Sequence, residues 1–353
     1  MKIEKLYPEC KDNLWGGEQL KEKYNKITDK EPVAESWELS FHRDGLTRLS
    51  NGKTLKETAT PADLGANAEG FPFFPVLVKL IDAKQNLSVQ VHPSDDYALQ
   101  NENSFGKTET WYIVDADENA SIYLGFKRDV TEEEFEKGVA DGSITDLLNR
   151  YEVKKGESYF IPSGTLHAIN SGCLICEIQQ NSNLTYRVYD YNRKDKNGNE
   201  RELHVDKALK VTDFKKYVSP KTDGERFAMS KYFTAFKINV DGVTLLTADK
   251  KSFKCVTLVD GSCEINGVRM LLGDSFFVPA GFGEFSLVGN CTVIVAEIRK
   301  YYIETETDGG AVTVTLVDDN GCVIAEKTGD SVSDLTAEIL KEKGMTKNDI
   351  SIW

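Results

Sequence analysis

The chain reads as mostly β. It is expected to hold two copies of a β-sandwich or barrel domain, a small helical insertion in the first copy, and a short α+β appendage at the C-terminus. Three observations predict this. Gly-bounded runs rich in Val, Ile, Phe and Tyr recur at short spacing, the pattern of many short strands joined by turns. Gly156-Glu-Ser-Tyr-Phe-Ile-Pro-Ser-Gly164 returns 117 residues later as Gly273-Asp-Ser-Phe-Phe-Val-Pro-Ala-Gly281, so one β-unit is used twice. Beyond about Tyr302 the texture changes to a hairpin followed by a helical repeat.

Strands are expected over 74–80, 87–92, 110–114, 121–124, 159–161 and 173–178, then over 233–240, 255–259, 275–278 and 292–298. Helix enters as an insertion near 129–150. Thr131-Glu-Glu-Glu134 has the form of a capping box, with Phe135 and Val139 at helical spacing, and Ser143-Ile-Thr-Asp146 opens a second short helix. Residues 195–200 form a polar excursion with an Asn-Gly turn, a surface loop, and Pro220-Lys-Thr-Asp-Gly224 links the two β-domains. The expected division is a site-bearing domain over 1–217, a second and metal-free domain over 218–302, and the appendage over 303–353. In the appendage, 311–317 and 322–326 flank Asp319-Asn-Gly321 as a hairpin. Residues 331–343 read as a helix with Val332, Leu335, Ile339 and Leu340 inward, and 349–353 as a further strand, giving β-β-α-β. About 50 residues are too few for a large core, so this unit is expected to dock on its host or on a second subunit.

With 353 residues the chain has room for two to three domains, and its formal charge is −14. Such a balance excludes a nucleic-acid or anionic-membrane partner that clustered basic charge would have to recruit. The longest apolar stretch, 71–81, is cut by Pro72, Pro75 and Lys79, so no membrane span is expected. The N-terminus has no apolar signal core. Seven scattered cysteines fit a cytoplasmic protein with reduced thiols. Cys173 and Cys176 form a C-x-x-C, but on a strand residues three apart point to opposite faces, which makes them strand filler.

There are four histidines. His92 closes Leu87-Ser-Val-Gln-Val-His-Pro93, where Ser88, Gln90 and His92 share one strand face opposite Leu87, Val89 and Val91. A polar face inside a sandwich needs partners or a ligand. In Gly106-Lys-Thr-Glu-Thr-Trp111, Lys107 and Glu109 again share a face, and His167 follows the Pro162-Ser-Gly turn. The second copy of the repeat has Glu284 in the place of His167. Gln90, His92, Glu109 and His167 therefore offer two imidazole nitrogens, a carboxylate and an amide oxygen, a mixed set for zinc or another divalent ion. On such a set Zn²⁺ would keep a net charge of about +1 and act as a Lewis acid. The competing reading makes both histidines hydrogen-bonded core residues. His42 is expected to be structural or at a pocket edge, and His204 a surface or capping residue.

At these residues the chain resembles the type I phosphomannose isomerases, zinc-dependent mannose-6-phosphate isomerases of the cupin fold, in their short bacterial form. The resemblance runs through Asn13-Leu-Trp-Gly-Gly17, Glu35-Ser-Trp37, Leu87 to Pro93, Gly106-Lys-Thr-Glu-Thr-Trp-Tyr112 and Tyr159-Phe-Ile-Pro-Ser-Gly-Thr-Leu-His167. It continues through Glu177-Ile-Gln-Gln-Asn-Ser-Asn-Leu-Thr-Tyr-Arg-Val-Tyr-Asp190 and fades in the second β-domain, covering about 300 residues. It implies two cupin-like jelly-roll domains, one zinc ion per chain on Gln90, His92, Glu109 and His167, and roles for Lys107 and Arg187. It also implies a sugar-phosphate substrate. The appendage departs from that short form, so no role carries over to it, and the assembly is expected to be a monomer or a weak homo-oligomer.

The implied reaction, mannose 6-phosphate to fructose 6-phosphate, needs a proton moved from C2 to C1 through an enediol(ate). Arg187 suits an oxyanion or phosphate partner. Lys107, beside Zn²⁺ and Arg187, is expected to lose its proton readily, to relay protons or to bind phosphate. Glu177 is a family candidate for the proton-shuttling base; orienting Arg187 or Lys107 is the alternative. Ser88 and Arg193 are further phosphate-binding candidates, with a surface role open for Arg193. Two other classes compete. An iron-dependent dioxygenase would want a His/His/carboxylate set with open positions, against which Gln90 and the flanking cations argue. A non-catalytic sugar-phosphate-binding protein, with the appendage as its interaction surface, would be favoured by loss of a ligand or of Arg187, and neither is lost.

Overall fold

The computed structural model describes residues 1–194, 198–219, 225–308 and 310–350. Among them the strands form four antiparallel sheets. A six-stranded sheet runs in the order Glu9–Lys11, Glu35–Leu39, Val76–Ala83, Cys173–Gln180, Glu109–Ala116 and Ser158–Ile161. A five-stranded sheet orders Tyr186–Tyr189, Val89–Val91, His167–Ile169, Ser121–Phe126 and Leu148–Glu152. A seven-stranded sheet holds Glu4–Lys5, Ser275–Val278, Lys254–Ile265, Gly283–Glu297, Thr234–Ala248 and Arg226–Met229, with Val268–Met270 beside Lys254–Ile265. No described helix is long and apolar enough to cross a membrane.

The six-stranded sheet is buried on both faces. Cys173 and Ile175 join Ile81, Trp111, Ile113, Ile122 and Leu124 in the layer shared with the five-stranded sheet. Leu174, Cys176 and Ile178 turn the other way, onto Phe233, Phe253 and Phe277 of the seven-stranded sheet. This double burial is why Val76–Ala83 and Cys173–Gln180 read as nearly unbroken apolar runs. It also separates the two cysteines of the C-x-x-C into different layers, as period two requires. All seven cysteines are free, and Cys322 is the exposed one. Burial pushes the Cys173 thiol up to about 12 and Cys176 well above its ordinary value, so neither supplies a thiolate.

Each strand expected between residues 74 and 326 has a counterpart, and the repeat is geometrically real. Gly156 and Gly273 have φ of 94° and 86°, and Gly164 and Gly281 have 86° and 74°. Positive φ at all four positions explains why glycine opens and closes both copies. The capping box at Thr131 forms, with Thr131 Oγ1 accepting from Glu134 N–H, and it starts the helix Glu132–Asp141.

Several expectations are corrected. The strands Thr234–Ala248 and Gly283–Glu297 pair along their whole length, far beyond the apolar halves that the sequence marks. Their outer halves mix exposed Val243, Leu245 and Val288 with polar residues and are entered through Gly242 and Gly289, which read as breaks in the strand pattern. The helical insertion ends at the 3₁₀ turn Ile144–Leu147, because Leu148–Glu152 belongs to the five-stranded sheet. Leu87 packs in the inner layer, apart from Val89 and Val91 on the outer one, because it precedes the strand proper. The C-terminal unit has a third strand, giving the order Tyr301–Asp308, Ala311–Asp318, Val323–Gly329. The helix Val332–Lys343 starts at its Ser331 cap and packs Leu335, Ile339 and Leu340 with Val314 and Leu316, whereas Val332, expected inward, is exposed in the first turn. Asp349 lies in a 3₁₀ turn rather than a strand; 351–353, the linker 220–224 and 195–197 of the polar loop lie outside the described residues. The unit docks on its host through Tyr301 and Met229 and through Asp318, which pairs with both Arg226 and Arg299.

A thiol reagent is expected to modify one cysteine, Cys322, in the native protein and all seven after unfolding. Rapid native labelling of Cys173 or Cys176, read by peptide mass spectrometry, would refute the layer assignment.

Candidate functional site

The inner layer changes character at one end, where apolar side chains give way to charges. The register of the sheets sets this up. Gln90 stands opposite both His167 and Arg187 across the five-stranded sheet. Across the six-stranded sheet Glu177 lies between Lys79 and Trp111. His92 follows its strand directly, and Glu109 opens another. Residues distant in the chain thus meet where the two sheets face each other.

His92, Glu109 and His167 are buried, and their ligand atoms all lie within 4.8 Å of one another. His92 Nδ1 is 2.8 Å from the Leu184 carbonyl oxygen and His167 Nδ1 is 2.8 Å from that of Thr165. A carbonyl only accepts, so each Nδ1 carries the proton and each Nε2 presents a lone pair. Those Nε2 atoms stand 3.6 and 3.4 Å from the two Glu109 oxygens. Both oxygens are buried without a hydrogen bond of good geometry. Lys107 Nζ is 2.7 Å from Glu109 Oε2 as an ion pair, off the preferred line of a hydrogen bond. Lys107 Nζ also lies 3.3 Å from His92 Nε2, so this ammonium serves one side of the four acceptors, and the set as a whole suits a further cation.

The residues fit a divalent ion in the remaining respects. Backbone carbonyls fix both imidazoles from behind, as ligating histidines require. Gln90 Nε2 lies 3.4 Å from His167 Nε2, and a half-turn of that amide would present its oxygen to the same point instead. Burial, aided by Lys107 and by the two rings on each other, holds His92 well below the usual imidazole range, and burial lowers His167 to about 4. Both are neutral at pH 7, the form that ligates.

Around this cluster runs an ion-pair chain. Lys107 Nζ is 3.7 Å and Lys79 Nζ 3.5 Å from Glu177 Oε1, and Lys79 Nζ is 3.4 Å from Glu35 Oε2. Trp111 Nε1–H donates to Glu177 Oε2 at 2.9 Å, and Trp37 Nε1–H to Glu35 Oε2 at 2.6 Å. Three carboxylates face two ammonium groups, a formal deficit of one positive charge. Burial raises Glu109, with Glu177 adding to it, to about 7. Burial would raise Glu177 too, but Lys107, Lys79 and the Trp111 bond outweigh it and hold it below the usual carboxylate range. For Lys107 burial favours the neutral amine, yet Glu109 and Glu177 prevail and its pKa is raised. The charged partners of Lys107 are these two carboxylates and not Arg187.

A cavity of about 410 Å³ opens over this floor, with Gln90, Lys107, Glu177 and Lys79 in its lining. Arg187 lines it too, half-buried, bonding Ser88 Oγ at 3.3 Å and the Glu202 carbonyl at 2.9 Å. Ser88 is itself in the lining. Arg193 is not in the lining; it bonds the Asp190 carboxylate and the Asn86 carbonyl. Arg201, which also pairs with Asp190, lines the cavity in its place. Sequence reasoning missed Arg201, Lys79 and Glu35. The Glu35-Ser-Trp37 motif marked the last of these, and a lone lysine inside the apolar run 76–81 marked Lys79. His42 sits apart, 3.5 Å from Asp44 and edge-on to Trp37. His204 occupies the N-cap position of Val205–Val211 without a side-chain cap bond, and its Nδ1 accepts from Arg187 N–H.

The frame and the pocket define an enzyme of the cupin class. Residues 3–126 match the family model for the phosphomannose isomerase type I catalytic domain, and 223–298 that for the mannose-6-phosphate isomerase cupin domain. A probable mannose-6-phosphate isomerase of Bacillus subtilis is 36% identical over 312 residues, spanning 82% of this chain and 98% of the relative. A mannose-6-phosphate isomerase of Streptococcus mutans is 36% identical, spanning 84% and 98%. The crystal structure of the Bacillus subtilis mannose 6-phosphate isomerase superposes with a TM-score of 0.76 at 35% identity, covering 84% of this chain and 99% of that one. The chain belongs to the type I phosphomannose isomerase family and is an isomerase. The three-stranded C-terminal unit lies beyond residue 298, where the family models end.

Because Glu109 is raised to about 7 while the two histidines are lowered, metal uptake should displace a proton from the carboxylate and not from the rings. Calorimetric titration with Zn²⁺ in buffers of different ionisation enthalpy is expected to show roughly one proton released at pH 6 and almost none at pH 8. Release of about two protons at pH 6 would assign the titration to the histidines and refute this ordering.

Proposed function

We propose that this pocket interconverts mannose 6-phosphate and fructose 6-phosphate through an enediol(ate), with one Zn²⁺ per chain held by Gln90, His92, Glu109 and His167. The observation that carries the reading is the buried convergence of Glu109 with two imidazole lone pairs, beside a cavity whose lining includes their neighbours Gln90 and Lys107 and, further out, Arg187 and Arg201. When bound, the ion supplies Lewis-acid polarisation of sugar oxygens. The chain's own residues do the rest.

Glu177 is the proton carrier. Its Oε2 is occupied by Trp111, whereas Oε1 is buried without a hydrogen-bond partner and the residue lines the cavity. Two ammonium groups keep it ionised at neutral pH, the form a base needs. It takes the C2 proton as that C–H pair becomes the C1–C2 double bond and O1 gains the charge. The O2 hydroxyl proton passes to O1, the C2 carbonyl forms, and Glu177 returns its proton to C1. Lys107, charged and 3.7 Å from Glu177 Oε1, steadies the negative charge as it moves. Arg187 and Arg201, with Ser88, hold the phosphate at the rim through planar forks of donors; Arg193 supports them through Asp190.

In the same reading, residues 1–217 form the catalytic domain, 218–302 the metal-free second cupin domain, and 303–353 a unit added to the family's short form. Six buried thiols suit a reducing cytoplasm.

A coupled assay on mannose 6-phosphate should show turnover that a chelator abolishes and added Zn²⁺ restores; zinc-loaded protein without turnover would end this reading. Separately, Arg187→Ala should raise KM at least about tenfold with kcat within about threefold, the signature of lost uniform binding. A hundredfold fall in kcat at unchanged KM would move Arg187 from the phosphate to the oxyanion.

A further inference from the structure

Asp95 is absent from the cavity lining, yet it is bonded on every side by groups that lead to the site. Its Oδ1 accepts from Gly106 N–H and from Gln180 Nε2, both at 2.8 Å. Gln180, itself buried, accepts Thr108 N–H on its Oε1 at 2.8 Å. Between these two held amides stands Lys107, whose own N–H donates to the Pro93 carbonyl at 3.0 Å, and Glu109 follows directly. Any Cβ on Gly106 would come within 2.5 Å of the Pro93 oxygen, so the two segments are in close contact. The remaining oxygen of Asp95 accepts from the hydroxyl of Tyr232. Tyr232 lies in the turn between Arg226–Met229 and Thr234–Ala248 of the seven-stranded sheet. The C-terminal unit braces that turn, Asp349 Oδ1 accepting from Lys231 N–H at 3.1 Å.

We propose that Asp95 is a positioning residue of the isomerase site: with Gln180 it fixes the 106–109 segment that presents Lys107 and Glu109, and Tyr232 anchors it from the seven-stranded sheet. The inference rests on the reading of Lys107 and Glu109 as site residues. Its chemistry is one carboxylate receiving three donors, which leaves it no freedom to turn. A segment fixed by side-chain bonds on both sides of Lys107 delivers that ammonium and the Glu109 carboxylate to one geometry. The need for such control is steep, since small misplacements at a reacting centre cost large factors in rate.

The test compares the full-length wild type with Asp95→Ala, Asp95→Asn and Tyr232→Phe, each shown to be folded by its melting transition. Steady-state kinetics on mannose 6-phosphate and competition for Zn²⁺ against a chelating indicator are the readouts. Asp95→Ala should lower kcat and weaken zinc binding, each at least tenfold, with KM within threefold. Asp95→Asn keeps an acceptor for Gly106 and should recover at least a third of both losses. Tyr232→Phe keeps the ring packed near Phe71 and Phe105 and should lose three- to tenfold in kcat. A folded Asp95→Ala with wild-type kcat and zinc affinity overturns the proposal, and so does an unaltered Tyr232→Phe, which decides the matter if the alanine variant does not fold. Absence of turnover in the wild type would instead defeat the functional reading, and the zinc comparison would still judge this one.

Discussion

The whole arrangement depends on a carboxylate that has been taken out of water. Glu109 is 0% exposed and faces two imidazole lone pairs, so nothing on that side repays its lost hydration. Breaking a buried ion pair by removing one partner costs about 3–5 kcal/mol, and Lys107 is the partner in question. Lys107 in turn is held by Glu177, Glu177 by Lys79, and Lys79 by Glu35. Each charge is tolerated because the next one is present. The chain still closes one positive charge short, and the two Glu109 oxygens, buried without a hydrogen bond, lie where that charge would sit.

The repeat explains why the frame can hold such a site. Both copies use the same glycine-bounded strand and turn, but their ends diverge. In the first, His167 lies on a buried strand opposite Gln90; in the second, Glu284 is exposed. The second copy contributes packing instead. Its Phe233, Phe253 and Phe277 cover the back of the six-stranded sheet, so that Glu109, Glu177 and Lys79 project from strands sealed on their other face. A sheet wet on one side would leave those strands freer to shift register, and the charge chain depends on register.

How much of this was legible follows from the same physics. Polar residues at buried strand positions stand out against an apolar pattern, which is why Gln90, His92, Glu109, His167, Lys107 and Glu177 could be picked from residues alone or from the family resemblance. Lys79 obeys the same rule, but it interrupts its apolar run alone, and a single charge reads as a solvated edge; Glu35 is part-buried and stands with Ser36 and Glu38 in a mixed run. Arg193 and Arg201 are not separable by pattern: both follow Asp190 and pair with its carboxylate, and only the folded structure shows that Arg201 is the one in the cavity lining. The strand Tyr301–Asp308 was hidden for a different reason. It is a sheet edge, and its Glu304, Glu306 and Asp308 are the charges that edges carry against stray pairing, so its composition resembles a loop.

The depth of the pocket separates two kinds of work. At the floor the groups are dry, charged and mutually fixed, so electrostatic interactions are strong and little reorganisation is needed when charge moves. At the rim Arg187 is half-buried and Arg201 is 23% exposed in its side chain, and both keep bonds to backbone or to Asp190 that preset their forks. An anionic group met there is held by donors that solvent still screens, an interaction felt equally before and during reaction. The chain's charge of −14 does not oppose this, because beyond about 8–10 Å that charge is damped by salt. Binding and chemistry can therefore be tuned apart, and the residues linking the two levels are those on the strand Val89–Val91 and its neighbours, where Ser88, Gln90 and Arg187 stand side by side.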